Sequence, residues 1–380
     1  MKKILILAAA AMLLAGCARE SESVPAASTN VISPETTVQT VPTETTAPEY
    51  PLRTILNGMT LEEKVGQLFL ARCRKETGVE DITVYHPGGY VLFGRDFDDQ
   101  TPDGLRAQLE SYQSAANIPM LMAVDEEGGT VCRVSSHPAF RAEKYPSPRE
   151  AYAMGGMAVA LSVEWDKAYL LNSLGLNVNL APVCDISQAP GAFMYARSLG
   201  EDPQTTAEFV TGALERMAEN GVGGVMKHFP GYGDNADTHT GSAVDDRSLE
   251  VLENRDLIPF QAGIDSGLGA ILVSHNIVTA LDGERPASLS PAVMAYLRQN
   301  MGSSGVILTD DLSMGALEDY TPEEAAVLAL QAGATMLCST DFDTQIPAVL
   351  EAVRNGRLSE QAVEDAVYKI LTWKQSLGLL

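Results

Sequence analysis

Short apolar segments alternate with amphipathic segments eight times along residues 51–380. Each apolar segment has the length of a buried strand, and representative ones are residues 90–93, 120–124, 270–273 and 306–308. Nearly continuous apolar runs are typical of parallel strands that are covered on both faces. Strand and helix repeated eight times predict an α/β fold, a single (β/α)8 TIM-type barrel. The alternative, an open doubly wound sheet, is disfavoured because no Gly-x-Gly-x-x-Gly motif follows the first strand.

The helices between these strands have recognisable ends. Residues 60–63, Thr-Leu-Glu-Glu, have the capping-box pattern. Proline is favoured in the first turn of a helix behind a capping residue, which predicts three further starts: Asp202-Pro203, Ser290-Pro291 and Thr321-Pro322. The first of these helices is expected to end at Asn220-Gly221. Residues 176–180, Leu-Asn-Val-Asn-Leu, alternate instead, so one face of that strand is expected to meet polar partners.

Polar and charged residues follow the predicted strands at the points where the strands end. In such a barrel the carboxyl ends of the strands converge on one face, and that face carries the functional site. We therefore expect one concave opening to gather a set of side chains that a purely structural barrel would not need: Arg72, Arg95, Asp125, Asp185, Lys227, His228, His275, Asp310 and Asp311.

The first fifty residues do not follow the repeating pattern. Residues 1–16 begin with two lysines after Met1, continue with an apolar run and end in small residues, which is typical of a secretory signal peptide. Residues 14–17, Leu-Ala-Gly-Cys, resemble a bacterial lipobox, which implies cleavage before Cys17 and lipid attachment to its thiol; an ordinary signal peptide is the alternative. Residues 17–50 are rich in Ser, Thr, Pro and Glu, so we expect a disordered tether. One folded domain over residues 51–380 remains.

The charge of the chain disfavours two classes of partner. It has 50 acidic against 26 basic residues, a formal net charge of −24, and removal of Lys2 and Lys3 leaves 24 against 50, or −26. This balance disfavours nucleic acid and direct adsorption to anionic lipid. We therefore expect attachment to the outer face of the bacterial cell membrane through lipid on Cys17, and no nucleic-acid partner.

Four further cysteines lie far apart, without a Cys-x-x-Cys pair or a histidine at metal-binding spacing: Cys73, Cys132, Cys184 and Cys338. We expect buried free thiols, because several of these residues lie in or just after predicted strands. A disulfide stays open as an alternative outside the cytoplasm. No metal site and no cofactor are expected.

Two linked motifs carry the strongest functional signal. Residues 227–233 read Lys-His-Phe-Pro-Gly-Tyr-Gly at the end of an apolar strand, and residues 237–239 read Asp-Thr-His. Together they resemble the glycoside hydrolase family 3 β-N-acetylglucosaminidases, the NagZ-type enzymes. The resemblance covers nearly all of residues 51–380 and implies a barrel that hydrolyses glycosides without a metal or organic cofactor.

The resemblance assigns the nucleophile to a carboxylate at the end of the seventh strand. Residues 309–314, Thr-Asp-Asp-Leu-Ser-Met, are similar to a family motif whose first Asp attacks the sugar, and that residue is Asp310 here. A carboxylate at the mouth of a barrel can attack an anomeric carbon or stabilise a developing oxocarbenium ion. The structural alternative, a cap or ion pair at the start of the next helix, suits Asp311 better.

The resemblance assigns the proton donor to the pair Asp237 and His239. A histidine titrates close to neutral pH, and a neighbouring carboxylate can fix its tautomer and raise its pKa. It can therefore give and then take a proton during one catalytic cycle. Residues 231–244 are rich in Gly, Asp, Asn and Thr, which is typical of a loop that moves over a site.

The remaining predicted contacts are to the sugar. Residues 123–131 contain Val-Asp-Glu-Glu-Gly-Gly and resemble a family segment whose first Asp binds hydroxyls, which assigns Asp125; we expect Glu126 to lie in a solvated loop. Residues 197–203 match a family run whose Arg reaches the substrate. The set of predicted substrate-binding residues is Asp125, Arg197, Lys227, His228, His275 and Arg285. For His275 a satisfied core histidine is the equal alternative.

Two features separate this chain from its relatives. Tyr232 stands where the NagZ-type motif has a second histidine, and the chain ends soon after its eighth strand, without the second domain of the family's β-glucosidases. We predict a retaining exo-β-N-acetylglucosaminidase that acts on peptidoglycan fragments. The alternatives are a β-glycoside phosphorylase, a β-glucosidase or β-xylosidase of relaxed specificity, and a sugar-binding lipoprotein without activity.

Overall fold

The computed structural model describes residues 50–233, 235, 237–239 and 241–380. The predicted signal peptide, Cys17 and the predicted tether up to residue 49 lie outside the described residues. The described residues from 50 onward belong to one compact unit.

Within the described part of the chain, eight parallel strands form one sheet: β1 Phe69–Arg72, β2 Gly89–Leu92, β3 Leu121–Val124, β6 Val178–Asn179, β7 Gly223–Phe229, β9 Ala270–Val273, β11 Ile307–Thr309 and β12 Leu337–Ser339. Their order in the sheet is β11-β9-β7-β6-β3-β2-β1-β12. A parallel bridge joins Leu308 on β11 to Met336, just before β12, so the two end strands meet and the sheet curls into a barrel. The predicted (β/α)8 barrel is confirmed.

Two small sheets stand above the barrel. The antiparallel pair consists of β4 Glu126–Gly128 and β5 Val131–Cys132. The parallel pair consists of β8 Val244–Asp245 and β10 Ile277–Val278. Both pairs belong to loops that follow barrel strands, and they fix the course of those loops.

Helices surround the barrel. Their bounds are α1 Tyr50–Gly58, α2 Leu61–Gln67, α3 Gly78–Tyr85, α4 Pro102–Ala115, α5 Pro148–Ser173, α6 Pro203–Glu219, α7 Leu249–Val251, α8 Leu257–Asp265, α9 Pro291–Ala295, α10 Pro322–Ala332, α11 Phe342–Arg354 and α12 Glu360–Ser376. A π-helical segment, Leu252–Asp256, joins α7 to α8, and another, Tyr296–Asn300, continues α9. Short 3-10 helices cover Gly94–Phe97, Ala287–Leu289 and Gly315–Leu317. Among the described helices, none is both long and apolar enough to cross a bilayer.

The predicted helix starts are confirmed. Thr60 and Glu63 form the capping box of α2. The side chain of Asp202 accepts hydrogen bonds from two backbone N–H groups at the start of α6, and that helix ends at Glu219 as expected. Ser290 and Thr321 cap the first turns of α9 and α10 in the same way.

The alternating strand meets polar partners as predicted. The Asn177 Oδ1 atom accepts a hydrogen bond of 2.8 Å from the backbone N–H of Met122 on β3. The Asn179 side chain accepts from the N–H of Glu126 and donates to its carbonyl, at 3.0 and 3.2 Å. These amides fix β3 and the segment that follows it, and that segment carries part of the site described below.

The four cysteines inside the barrel domain are buried free thiols, as expected. Burial raises the pKa of the Cys73 thiol to about 12 and raises the pKa of Cys184 and Cys338 well above the ordinary value. These thiols are therefore protonated at neutral pH and act as small apolar groups in the core.

Lys374 on α12 is a buried lysine whose lowered pKa should make stability depend on pH. Its Nζ donates to Gln67 Oε1 at 2.6 Å, and burial lowers the pKa of Lys374 to about 7. The unfolded chain, with an ordinary lysine pKa near ~10.4, binds one proton more than the folded chain between these values, so stability rises with pH there. We expect Lys374→Met to reduce the slope of the free energy of unfolding between neutral and alkaline pH by about 1 kcal/mol per pH unit. Urea unfolding at several pH values measures the slope, and an unchanged slope would contradict a buried neutral lysine.

Candidate active site

A cavity of about 710 Å³ opens at the carboxyl ends of the barrel strands. Most of the predicted site residues line it together, although they are distant in the sequence: Asp125, Arg197, Lys227, His228, Asp237, His239 and Asp310. Apolar walls complete the cavity, with Phe93, Phe193 and Met314 among its lining residues. The arrangement of one apolar-walled cavity with several converging charges is typical of a site for a small polar ligand.

A buried cluster of two cations and two carboxylates forms one side of this cavity. Lys227 Nζ lies 2.6 Å from Asp125 Oδ1 and 2.7 Å from Glu127 Oε1. Arg197 donates to both oxygens of Glu127, through Nε at 2.9 Å and Nη2 at 2.7 Å. Burial alone disfavours these charges, but Lys227 and Arg197 together hold the pKa of Glu127 well below its ordinary value. The same pairing raises the pKa of Lys227 despite its burial, so Glu127 and Lys227 are both ionised at neutral pH.

Glu127 is a site residue that the sequence analysis missed, and the expectation for Glu126 was wrong. Glu126 is fully buried, and its carboxylate accepts hydrogen bonds from the backbone N–H groups of Arg133 and Val134 at 2.9 and 2.7 Å. The segment is extended at β4, so alternate side chains point to opposite sides. Asp125 and Glu127 therefore face the cavity together, while Glu126 points inward and anchors the loop after β5. This period of two was the signal that could have identified Glu127.

His228 is held in one tautomer by partners on both sides. Its Nδ1 lies 2.8 Å from Asp185 Oδ2, and its Nε2 lies 3.1 Å from Arg197 Nη2. A carboxylate can only accept and a guanidinium can only donate, so Nδ1 carries the proton and Nε2 accepts. Asp185 was expected only at a strand end; it orients His228 and also accepts the backbone N–H of Tyr232 at 2.6 Å.

Asp310 follows β11 directly and lies in the cavity. Burial by itself raises the pKa of this carboxyl, but its electrostatic interactions with His275, His228 and Lys227 and a hydrogen bond from the Asp311 N–H, at 2.9 Å, hold the pKa below its ordinary value. Asp310 is therefore a carboxylate at neutral pH, which suits a nucleophile and not a proton donor.

The Asp311 side chain makes structural contacts, but these are not the helix cap that the sequence analysis suggested as its alternative role. Its Oδ1 accepts from the backbone N–H groups of Ser313 and Thr340, and its Oδ2 accepts from the Thr340 hydroxyl at 2.6 Å. The side chain thus joins the loop after β11 to the loop after β12. Asp311 also contributes to the cavity lining.

Asp237 and His239 form a pair at the rim of the cavity. His239 Nδ1 lies 2.6 Å from Asp237 Oδ1, and the same oxygen accepts the backbone N–H of His239 at 2.9 Å. The His239 side chain is 60 % exposed and that of Asp237 is 32 % exposed. Because the carboxylate can only accept, the proton lies on Nδ1 and the ring keeps Nε2 for exchange with a ligand.

Two predicted substrate-binding residues, His275 and Arg285, are not among the residues that line the cavity. His275 is fully buried; its Nδ1 pairs with the Ser288 hydroxyl at 2.7 Å and its Nε2 with the Asp311 carbonyl at 2.9 Å. This is the satisfied core histidine of the alternative reading, and burial lowers its pKa. Arg285 is exposed, and its backbone N–H donates to Asp282 Oδ1.

In the described residues, no group of three or more His, Cys, Asp or Glu side chains is arranged to hold a metal ion.

Comparison with known proteins gives a consistent picture. The family model "Glycosyl hydrolase family 3 N terminal domain" matches residues 60–373. The chain is 31% identical to beta-hexosaminidase LpqI of Mycobacterium tuberculosis over 98% of this chain and 97% of that protein. It is 34% identical to a beta-hexosaminidase of Tolumonas auensis over 71% of this chain and 81% of that protein.

Solved structures agree with the sequence matches. A glycoside hydrolase family 3 beta-N-acetylglucosaminidase from a Paenibacillus species superimposes with a TM-score of 0.79 at 31% identity; the match covers 84% of this chain but only 63% of that one. The M. tuberculosis LpqI structure superimposes with a TM-score of 0.78 at 29% identity, covering 85% of this chain and 96% of that one. The similarity to LpqI thus extends over nearly the whole length of LpqI.

Proposed function

The chain belongs to glycosyl hydrolase family 3, and we propose that it is a β-N-acetylhexosaminidase that releases terminal β-linked N-acetylglucosamine. The observation that carries this proposal is a single cavity lined by a carboxylate of lowered pKa, Asp310, and by the Asp237–His239 pair. A glycosidase with retention of configuration needs such a nucleophile together with a separate proton donor. The names of the relatives agree with this chemistry.

In the proposed reaction Asp310 attacks C1 of the terminal sugar. The bond from C1 to the leaving oxygen breaks, and that oxygen takes the proton from Nε2 of His239, while Asp237 stabilises the charge on the ring. Water then attacks C1 of the glycosyl-aspartate; it gives one proton to Nε2 of His239, and the carboxylate of Asp310 leaves. Two inversions at C1 give net retention.

The buried cluster supports recognition of the sugar. A hydroxyl group both donates and accepts, so the adjacent carboxylate and ammonium groups of Asp125 and Lys227 suit a ring with neighbouring hydroxyls. Arg197 and His228 extend the same polar surface. Because these groups already bond to one another, they are oriented before the sugar arrives, and ordering them costs little on binding.

We further propose that the enzyme acts outside the cell on peptidoglycan fragments and is anchored by lipid on Cys17. The lipobox-like residues 14–17 support this location, and residues 17–50 are long enough to separate the barrel from a membrane. In cells that express the full chain, we expect labelled fatty acid to be incorporated into the unmodified protein. The Cys17→Ser variant should not be labelled. Equal labelling of both would contradict the anchor.

Turnover of aryl glycosides by the full-length chain tests the function. We expect hydrolysis of an aryl β-N-acetylglucosaminide well above that of the matching β-glucoside and β-xyloside, with the β-anomer of the free sugar formed first. A preference for the glucoside or xyloside would favour the relaxed-specificity alternative. Appearance of a sugar phosphate in phosphate buffer would favour a phosphorylase, and no turnover of any glycoside a binding protein.

His239→Ala should slow the hydrolysis of substrates whose leaving group needs a proton more than the hydrolysis of substrates whose leaving group does not. For a phenyl leaving group we expect kcat/KM to fall on the order of 10²- to 10⁴-fold, the usual contribution of general acid catalysis. For a dinitrophenyl leaving group, which departs without protonation, we expect a far smaller loss. Steady-state kinetics of the two substrates measure this, and equal losses for both would remove His239 as the proton donor.

A further inference from the structure

Tyr232 is buried in the wall between the histidine pair and the sugar-binding cluster. Only 1% of it is exposed. Its backbone N–H donates to Asp185 Oδ1 at 2.6 Å, and its ring stands edge-on to His228 with centroids 5.3 Å apart. Its hydroxyl is hydrogen-bonded to the hydroxyl of Thr238, the central residue of the Asp-Thr-His segment. Tyr232 therefore connects that segment to the residues that orient His228.

The Asp-Thr-His segment, residues 237–239, also contacts the loop that follows Asp310. The backbone N–H of Ala316 donates to the Thr238 carbonyl at 3.1 Å. Gly315 leaves room for the His239 carbonyl, since a β-carbon at Gly315 would lie 2.9 Å from that oxygen. Both contacts come from the loop that follows Asp310. Thr238 is thus held through its carbonyl by the Asp310 loop and through its side chain by Tyr232.

The neighbours of Thr238 differ from it in exposure. Thr238 is fully buried, whereas His239 and Asp237 on either side extend toward the cavity and solvent. The position of Thr238 therefore helps to fix the backbone between the two members of the pair. The hydroxyl bond to Tyr232 is its side-chain link to the rigid wall of the barrel, and a phenylalanine at position 232 would keep the packing but break that link.

We propose that Tyr232 is a positioning residue for the general acid: through Thr238 it holds the Asp237–His239 pair in register with Asp310 and the sugar-binding cluster. The inference rests on the proposed function. It predicts that loss of one buried hydroxyl group impairs proton transfer to the leaving group more than it impairs sugar binding.

Tyr232→Phe is the first test. We expect kcat/KM for a phenyl β-N-acetylglucosaminide to fall about three- to tenfold, the equivalent of one hydrogen bond. The loss should appear in kcat and not in KM, and it should be clearly smaller for the dinitrophenyl substrate. Thr238→Val should reproduce it, Thr238→Ser should restore activity because serine keeps the hydroxyl, and the double variant Y232F/T238V should lose no more than either single variant.

Tyr90→Phe is the matched control. Tyr90 is equally buried and donates from its hydroxyl to the Gly78 carbonyl at 2.7 Å, and it is not among the residues that line the cavity. Its replacement removes a comparable hydrogen bond and should leave the ratio of the two substrates unchanged. If Tyr232→Phe and Tyr90→Phe changed that ratio equally, or if Y232F and T238V were additive, the positioning role would be overturned.

Hydrogen exchange provides a readout that does not need turnover. In Tyr232→Phe we expect the amides of residues 237–239 to exchange faster than in the unmodified chain and in Tyr90→Phe. Unchanged exchange would overturn the inference even if the enzyme hydrolyses N-acetylglucosaminides. Faster exchange in a chain that hydrolyses another glycoside would support the positioning role while the proposed substrate failed, so the two proposals are tested separately.

Discussion

Asp310→Ala is expected to lower kcat for an aryl β-N-acetylglucosaminide on the order of 10⁴-fold or more, the scale at which loss of a nucleophile acts. The carboxylate follows β11 into the cavity, and nearby positive charge and the Asp311 N–H hold its pKa below the ordinary value. It is therefore ionised at neutral pH. Steady-state and single-turnover kinetics of the variant measure the loss.

Asp311→Asn is the control for this prediction, because Asp311 is adjacent and its oxygens bond mainly to residues 313 and 340. Asparagine keeps one carbonyl oxygen for these bonds, so we expect a loss below about tenfold. A fluorinated sugar that traps the intermediate should label Asp310. Labelling of Asp311, or a larger loss in the Asp311 variant, would reverse the assignment of the two residues.

The fold could be predicted because its signals are local and repeat. Buried parallel strands require apolar runs on both faces, and each helix between them begins with a side chain that satisfies its first N–H groups. The capping threonine at Thr60 and the aspartate at Asp202 are examples in which the sequence pattern and the observed hydrogen bonds agree. Such features depend on a few neighbouring residues, so no tertiary information is needed to find them.

The site could be predicted only where a motif coincides with a strand end. Lys227 and Asp310 fulfil that condition and line the cavity. His275 also follows a strand, but Ser288 and the Asp311 carbonyl take both of its ring nitrogens, and nothing local in the sequence reveals these partners. Glu126 failed for a related reason, since a carboxylate can be buried when three-dimensional neighbours supply enough N–H donors.

Glu127→Gln should cause the largest loss of stability among single changes in the cavity wall. The substitution removes the charge that Lys227 and Arg197 share at 2.7 Å and leaves Arg197 without its bidentate partner. Breaking a buried ion pair from one side costs about 3 kcal/mol, because the remaining cation stays desolvated. We also expect kcat/KM to fall roughly 10- to 100-fold as the sugar-binding side chains lose their positions. Urea unfolding and steady-state kinetics measure both effects.

The pH dependence of unfolding gives this prediction its sign. The pKa of Glu127 is lower in the folded chain than its ordinary value, so the folded state binds fewer protons than the unfolded state. The stabilisation by ionised Glu127 is therefore complete above about pH 4, near the unfolded-state pKa, and is lost as the pH falls. Glu127→Gln should therefore lose stability at neutral pH, and its free energy of unfolding should decline less steeply in acid.

Glu164→Gln is the matched control: Glu164 is also buried and contacts Lys167 at 2.7 Å, but burial raises its pKa. The folded chain therefore binds more protons at Glu164 than the unfolded chain does, so Glu164→Gln should not make the decline in acid shallower, and it should leave KM unchanged. An equally shallow decline in both variants would mean that the Lys227–Glu127–Arg197 cluster adds no more than any buried glutamate.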